Sequence, residues 1–221
     1  MLVDSPSTTK RLRPCLSTTV TSQRHNHPRL TVLLDLDETL IHLHAEERTN
    51  KAPSSAETFE VFVDGKYQQV SKRPNLKTFL ERASKNFDLI LFTASTESYA
   101  RQVLKEIDST TQSYFKDCFF RQHCKTVTLG QNNVVFLKDL SILSSELLQR
   151  TVLVDNSLMS FVLQPENGIP ITSYIGDMED NALLVLLGFL NYLSESAEED
   201  VRVVLNQVFK LKRLFYVEPI L

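Results

Sequence analysis

The chain is predicted to fold as a doubly wound α/β domain, a twisted parallel sheet covered by helices, and three observations carry that prediction. Four short apolar runs recur along the chain, helical patterns lie between them, and each run breaks off at a cluster of polar or charged side chains. The runs are Leu30 to Leu34, Phe87 to Phe92, Val134 to Leu137 and Thr151 to Val154. Apolar runs this short, bounded by polar punctuation, suit strands buried on both faces of a parallel sheet.

The elements follow in order. Residues 1–29 mix Ser, Thr, Pro, His and basic residues without apolar periodicity, which reads as a flexible basic tail; a targeting segment is the other reading. Order is expected from Leu30. Asp64-Gly65 joins two segments of strand propensity, a strong hairpin signal. Pro74 is expected to open a helix carrying Leu76, Phe79, Leu80 and Ala83 on one face. Tyr99, Val103 and Leu104 mark a second helix, Ser141 to Gln149 a weaker third, and Leu183, Leu187, Leu190 and Leu193 a fourth. Val201, Val204, Val208, Leu211 and Phe215 mark one more, read as a single helix from Ala197 to Phe215. The domain is therefore placed at 30–195, with residues 196–221 a helical extension packed on it.

Composition narrows the function. With 221 residues, 42% hydrophobic and 23% charged, the chain can bury about 70% of its surface without a disulfide or metal staple. No apolar stretch approaches the ~20 residues of a membrane helix. Cys15, Cys118 and Cys124 are an odd set with no C-x-x-C spacing, which fits a reducing, intracellular setting, nuclear or cytoplasmic. Five glycines make neither G-x-G-x-x-G nor a P-loop, so the commonest nucleotide cradles are excluded. Lys10, Arg11, Arg13, Arg24 and Arg29 stand against Asp4 alone in the first 29 residues, so the rest of the chain is acidic despite a net charge of only −3. Direct nucleic-acid binding by the globular part is not expected, and a monomer is the default.

The chemistry sits where the runs end. They end in Asp35-Leu36-Asp37-Glu38-Thr39, Thr93-Ala94-Ser95, Lys138-Asp139 and Asp155-Asn156-Ser157. Ligands of open α/β sheets bind outside the carboxyl ends of the strands, so the four clusters are expected in one crevice. Their inventory suits phosphoryl transfer assisted by Mg2+: oxygen ligands, an ammonium for phosphate charge, and a carboxylate able to become an acyl phosphate. Residues i and i+2 of an extended chain share a side, so both carboxylates of Asp35 and Asp37 reach the strand mouth. Asp35 is the candidate nucleophile and Asp37 the candidate acid and base. Thr93 donates to a phosphoryl oxygen, Lys138 neutralises developing charge, and Asp155 with Asn156 holds the cation. Taken singly, each cluster has an ordinary reading as a helix cap, strand end or turn. Together, in phase with four strand ends, they point to a site.

DLDETL at 35–40, Lys-Arg-Pro at 72–74, LFTAS at 91–95, Lys-Asp-Leu at 138–140 and VDNS at 154–157 resemble the small C-terminal-domain phosphatases, a branch of the haloacid dehalogenase superfamily. The similarity runs from about Leu30 to about Glu195. It implies a Rossmann-like haloacid dehalogenase fold with a central parallel sheet flanked by helices and a small β-hairpin insertion in place of a large cap. It further implies a Mg2+-dependent serine/threonine protein phosphatase using an aspartyl-phosphate intermediate. By matching motif, Asp35 is the nucleophile and metal ligand, Asp37 the acid/base whose backbone carbonyl also binds metal, and Asn156 the third ligand, with Asp155 beside the metal. Thr39, Thr93 and Lys138 match residues that support the site or hold phosphate; Ser95 is grouped with them for phosphate or substrate binding. Arg121 matches an arginine near the phosphopeptide or is a solvated surface residue. Leu158 and Tyr174 depart from the family's usual proline and tryptophan, which leaves substrate preference open.

Only a hairpin lies between Asp37 and Pro74, and nothing between Ser95 and Lys138 resembles a second cap, so an open crevice for a protein segment is expected. Phe59, Val61, Phe62 and Val63 either line a substrate pocket or face the core in alternation. The leading reading is a phosphatase of phosphoserine or phosphothreonine in a disordered segment, such as the tail of RNA polymerase II. A small-metabolite phosphatase and a catalytically silent scaffold are the alternatives.

Overall fold

In the computed structural model, which describes residues 28–44, 56–108, 113–130 and 133–215, the first apolar run is strand β1 (Thr31–Leu34). Apart from Pro28 and Arg29, the basic tail lies outside the described residues, as does Cys15. Arg29 itself is anchored: its guanidinium donates to the carbonyls of Ser84, Lys85 and Phe87 and pairs with Asp88 at 2.9 Å.

After β1 the chain turns sharply. Glu38 takes a left-handed φ of 59°, and the carbonyl of Leu36 accepts from the N–H groups of Leu40 and Ile41. Strand β2 (Ile41–Leu43) then pairs with the hairpin of β3 (Thr58–Val63) and β4 (Lys66–Lys72), giving a small antiparallel sheet ordered β2-β4-β3. The hairpin turn is the expected Asp64-Gly65, with φ of 50° and 81°. Two consecutive positive φ values make the tight turn whose twist matches the strands, and glycine adopts the second at no steric cost. Of the hairpin residues in question, Val61 is in the core, Phe62 is half-exposed and Val63 alone lines the cavity described below.

Helix α1 (Leu76–Asn86) buries Leu76, Phe79, Leu80 and Ala83. Contrary to the sequence expectation, Pro74 does not open it; Asn75, left-handed at φ 65°, intervenes. Strand β5 (Asp88–Phe92) and helix α2 (Glu97–Ile107) follow, and β6 (Phe115–Phe119) joins the edge of the main sheet, a strand that the adjacent polar pair Lys116-Asp117 conceals in the sequence.

The third apolar run departs from expectation. Strand β8 (Asn133–Leu137) is not in the parallel sheet; it pairs antiparallel with β7 (Lys125–Leu129) in a separate two-stranded hairpin. Only Leu137 of β8 is buried, so this run is a half-exposed ribbon standing on the sheet rather than part of its core. A small second hairpin thus does lie between Ser95 and Lys138.

Beyond it, the predicted helix at Ser141 to Gln149 splits into a 3-10 turn (Leu140–Ile142) and one α-turn, α3 (Ser145–Leu148). Strand β9 (Thr151–Asp155) is buried throughout, and β10 (Gly168–Pro170) completes a five-stranded parallel sheet ordered β10-β9-β1-β5-β6. A Cβ at Gly168 would stand 2.6 Å from atoms of Phe161 and Leu211, so the close approach of those side chains requires glycine there. Helix α4 (Ala182–Glu195) covers one face with Leu183, Leu186, Leu187, Leu190 and Leu193. The last predicted helix is broken into α5 (Val201–Val208) and α6 (Lys212–Phe215) by Lys210, at φ 53°.

The larger core cluster joins β1, β5, α1, α2, α4 and α5 on one side of the sheet. A smaller one, built on Leu33, Phe92, Leu153 and Phe161, lies on the other. Each fully buried Leu or Phe contributes about 1.5–3 kcal/mol, so the sheet is a rigid platform whose carboxyl edge can hold polar groups in place.

Candidate active site

β1 and β9 lie side by side in register, Leu34 opposite Val154, so Asp35 and Asp155 emerge from the same edge one step further on. Between them stands Lys138, delivered by the end of β8. Its Nζ lies 2.5 Å from Asp35 Oδ1 and 2.5 Å from Asp155 Oδ2, with the Phe92 ring 5.7 Å below. Lys138 and Asp155 are each 2% exposed and Asp35 7%. Burial pushes the Asp35 carboxyl up to about 7; Lys138 pulls against that, and the neighbouring Asp155 and Asp37 charges add to it. The Lys138 ammonium is also held above its usual value, because the two carboxylates outweigh its desolvation.

Asp37 sits two residues along and faces the cavity with both oxygens occupied. Ser95 Oγ donates to Oδ2 at 2.6 Å and the Tyr99 hydroxyl to Oδ1 at 2.7 Å. The Tyr99 phenol is pushed upward by burial and by the Asp37 charge beside it, so it stays a donor. Thr93, 1% exposed, accepts from the Ser95 N–H at 3.0 Å and is itself tied to β6 through Phe119.

Asn156 follows Asp155, whose Oδ1 accepts from the Ser157 N–H at 2.8 Å. The Asn156 amide nitrogen donates to Glu38 Oε2 at 3.2 Å and Ser173 Oγ at 3.0 Å, while Oδ1 accepts from Thr39 Oγ1 at 3.5 Å. Arg121 donates from Nε to the Ala94 carbonyl at 2.7 Å and lies over the Phe136 ring at 4.9 Å.

All these groups meet at one cavity of about 790 Å³. Every candidate catalytic, phosphate-binding or metal-binding residue singled out from the sequence lines it except Thr39, which is fully buried and touches the site through Asn156. Residues the sequence reading did not assign also line it: Tyr99, read there only as one mark of an apolar helix face, and Val134, Val135 and Phe136 of the second hairpin. The signal for Tyr99 was its place one turn into the helix that follows Thr93-Ala94-Ser95. Ser173 had no sequence signal, since the three-residue β10 before it is too short to reveal itself.

The donor set fits a hard divalent cation. Two carboxylates, Asp35 and Asp155, share one ammonium, and a third, Asp37, lines the same cavity with the Asn156 carboxamide, so carboxylates outnumber that ammonium. Among the described residues no three His, Cys, Asp or Glu side chains form a preformed metal cage. Mg2+ does not need one, because it keeps several waters and is held by one or two carboxylates together with the substrate's phosphate. Asp35, Asp155 and Asn156 would hold it.

Comparison with known proteins places the same stretch of chain in context. The model of a family described as NLI interacting factor-like phosphatase matches residues 30–202. "CTD small phosphatase-like protein 2" of Dictyostelium discoideum is 40% identical over 87% of this chain and 32% of its own length. "CTD small phosphatase-like protein 3" of Caenorhabditis elegans is 36% identical over 84% of this chain and 61% of its own length. "CTD nuclear envelope phosphatase 1" of Xenopus tropicalis is 38% identical over 85% and 75%. The chain therefore spans less than two thirds of the first two relatives it matches. Among solved structures, "The Structure of Fcp1, an essential RNA polymerase II CTD phosphatase" superposes with a TM-score of 0.60 at 16% identity, covering 81% of this chain and 70% of the other. That likeness shows the fold alone, the parallel α/β sheet flanked by helices described above.

Proposed function

The chain belongs to the NLI interacting factor-like phosphatase family, and from that membership we propose that it is a Mg2+-dependent phosphatase of phosphoserine or phosphothreonine in a protein segment. The observation that carries the reading is the pairing at one cavity of two differently placed carboxylates: Asp35 bridged to Asp155 by Lys138, and Asp37 gripped by Ser95 and Tyr99.

Asp35 attacks phosphorus in line, forming the Asp35 Oδ–P bond as the P–O bond to the substrate's serine or threonine breaks. Asp37 gives the departing oxygen its proton. In the second half Asp37 takes a proton from water, whose oxygen attacks phosphorus, and the bond to Asp35 breaks to release phosphate. Lys138 and Thr93 meet the phosphoryl oxygens, Lys138 as a fixed charge and Thr93 as a hydroxyl donor. When bound, Mg2+ supplies the positive charge that favours ionised Asp35 and offsets the negative phosphoryl group. Holding Asp37 from two sides fixes its carboxyl for both proton transfers, which must occur at the same place.

A protein substrate is favoured by the absence of a large cap among the described residues and by a cavity of about 790 Å³ lined from both hairpins. The names of the relatives support a C-terminal-domain or other disordered phosphoprotein segment, in the nucleus or at its envelope. No helix among the described residues is long and apolar enough to cross a membrane.

The test is phosphate release from a phosphoserine-proline peptide, an aryl phosphate and a panel of phosphorylated metabolites, with Mg2+ and with chelator. Mg2+-dependent turnover highest on the peptide is expected. Preference for one metabolite would overturn the substrate class, and no turnover of any of them by folded protein would leave a scaffold.

A further inference from the structure

Arg73 lies outside the cavity, and no step above uses it, yet it is a charged side chain only 1% exposed. Four of the five N–H donors of its guanidinium are engaged. Nε and Nη2 donate to the two oxygens of Asp180 at 2.9 and 2.7 Å, Nη1 donates to the Thr39 carbonyl at 3.0 Å, and Nη2 also donates to the Thr172 carbonyl at 2.8 Å. The Tyr174 ring packs against it, 5.6 Å from the guanidinium carbon. Burying a charge is costly, and an apolar side chain would fill the same space more cheaply, so the contacts it makes carry the explanation.

The two carbonyls share one feature. Thr39 is the residue whose hydroxyl meets Asn156 Oδ1, and Thr172 precedes Ser173, whose hydroxyl meets Asn156 Nδ2. The backbone N–H of the next residue, Tyr174, donates to the Glu38 carbonyl at 2.7 Å, and the Glu38 carboxylate takes the other Asn156 amide hydrogen. Both hydrogens of the Asn156 amide are thus spoken for, which fixes which way the carboxamide points. Its oxygen accepts from Thr39 at 3.5 Å, and because Asn156 lines the cavity a second lone pair is left for a ligand there. One guanidinium grips the backbone on both sides of that amide. Its own anchor is firm, because Asp180 also accepts from the Ala182 N–H at 2.9 Å at the start of α4, a helix held by five buried leucines.

We propose that Arg73, anchored by Asp180, is a positioning residue that fixes the Asn156 carboxamide as a cation ligand and thereby sets metal affinity. The inference rests on the metal reading above. Groups behind a ligand that orient it commonly account for about 10- to 100-fold in metal affinity. Lysine in place of Arg73 keeps the charge but lacks the fork that reaches Asp180, Thr39 and Thr172 together.

The experiment is binding of Mn2+, followed by electron paramagnetic resonance with Mg2+ as competitor, on wild type, Arg73→Lys, Asp180→Asn and a core control, Leu190→Ala. No turnover is required. Arg73→Lys is expected to weaken Mn2+ about tenfold or more and Asp180→Asn by a smaller factor in the same direction. Leu190→Ala is expected to lower the thermal midpoint without changing Mn2+ affinity. If Arg73→Lys does not fold, Asp180→Asn carries the test. Affinity within about twofold of wild type in the folded Arg73 and Asp180 variants overturns the proposal, as does an equal loss in Leu190→Ala. A wild type that binds no Mn2+ at all overturns the metal reading first and this inference with it.

Discussion

Lys138 Nζ stands 2.5 Å from both Asp35 and Asp155, so one ammonium holds together two carboxylates that would otherwise repel each other inside the protein. Removing it leaves two buried anions side by side, a loss on the order of 3–5 kcal/mol for breaking a buried ion pair. The remaining charge is negative, so a divalent cation should restore part of the loss. Lys138→Met is therefore expected to unfold at lower urea in chelator and to regain more stability from millimolar Mg2+ than wild type does. An equal Mg2+ increment in both proteins would argue against a cation beside these carboxylates.

The two catalytic candidates should differ in stability as well as rate. Asp35 is buried and its carboxyl already pushed up to about 7 by that burial, so Asp35→Asn costs the fold little. Loss of the nucleophile should reduce kcat by about 10⁴-fold or more. Asp37→Asn removes the proton donor and acceptor instead, a loss of about 10²- to 10⁴-fold. Stopped-flow phosphate release on the peptide, beside thermal midpoints, checks both. A Asp35→Asn variant retaining a tenth of the wild-type kcat would remove Asp35 from the nucleophile's role.

How much of this was legible in the sequence follows from where each signal resides. Asp35, Thr93 and Asp155 end strands of the parallel sheet, and continuous apolar runs reveal those strands because both faces are buried. Lys138 was found for a partly mistaken reason: its run, Val134 to Leu137, belongs to a half-exposed ribbon, and the ribbon's end happens to reach the same sheet edge. The β6 strand was hidden by Lys116 and Asp117, which face solvent at the sheet's edge. Glu38, Ser173 and Arg73 were recognisable as residues but not as neighbours of Asn156. Their meeting depends on a left-handed turn and on β10, neither of which leaves a periodic trace.

The first hairpin is latched to α2 by one side chain. Gln102 Oε1 accepts from the Phe62 N–H at 2.9 Å and its amide nitrogen donates to the Phe62 carbonyl at 3.1 Å, so it completes the open edge of β3 as another strand would. Val63 and Asp64, next along the hairpin, line the catalytic cavity. Gln102→Leu should free the hairpin without touching the reacting groups. KM for the phosphopeptide is expected to rise severalfold while kcat/KM on an aryl phosphate stays near wild type, because only the longer substrate reaches the hairpin. Equal losses on both substrates would place the effect in the chemistry instead.

The last prediction concerns acid stability and a carboxylate next to the site. Asp139 is 3% exposed; burial alone would raise its pKa, but Lys125 at 2.5 Å, the Ser141 N–H at 2.9 Å and the Gln164 amide at 2.9 Å hold it down at about 2. Its unfolded value is 3.8, so the folded form binds its proton less readily and the charged state stabilises the fold. That contribution is complete above 3.8 and is lost as pH falls from there through about 2. The shift corresponds to at most about 2 kcal/mol, and screening of the exposed Lys125 brings it to roughly 1–2 kcal/mol. The stability gap between wild type and Asp139→Asn should therefore be constant near neutral pH and narrow by that amount across the acid window. Urea unfolding at a series of pH values measures it directly. A gap that stays constant to the lowest pH would mean that the three donors do not favour the ionised form, and Asp139 would then contribute through its shape and hydrogen bonds alone.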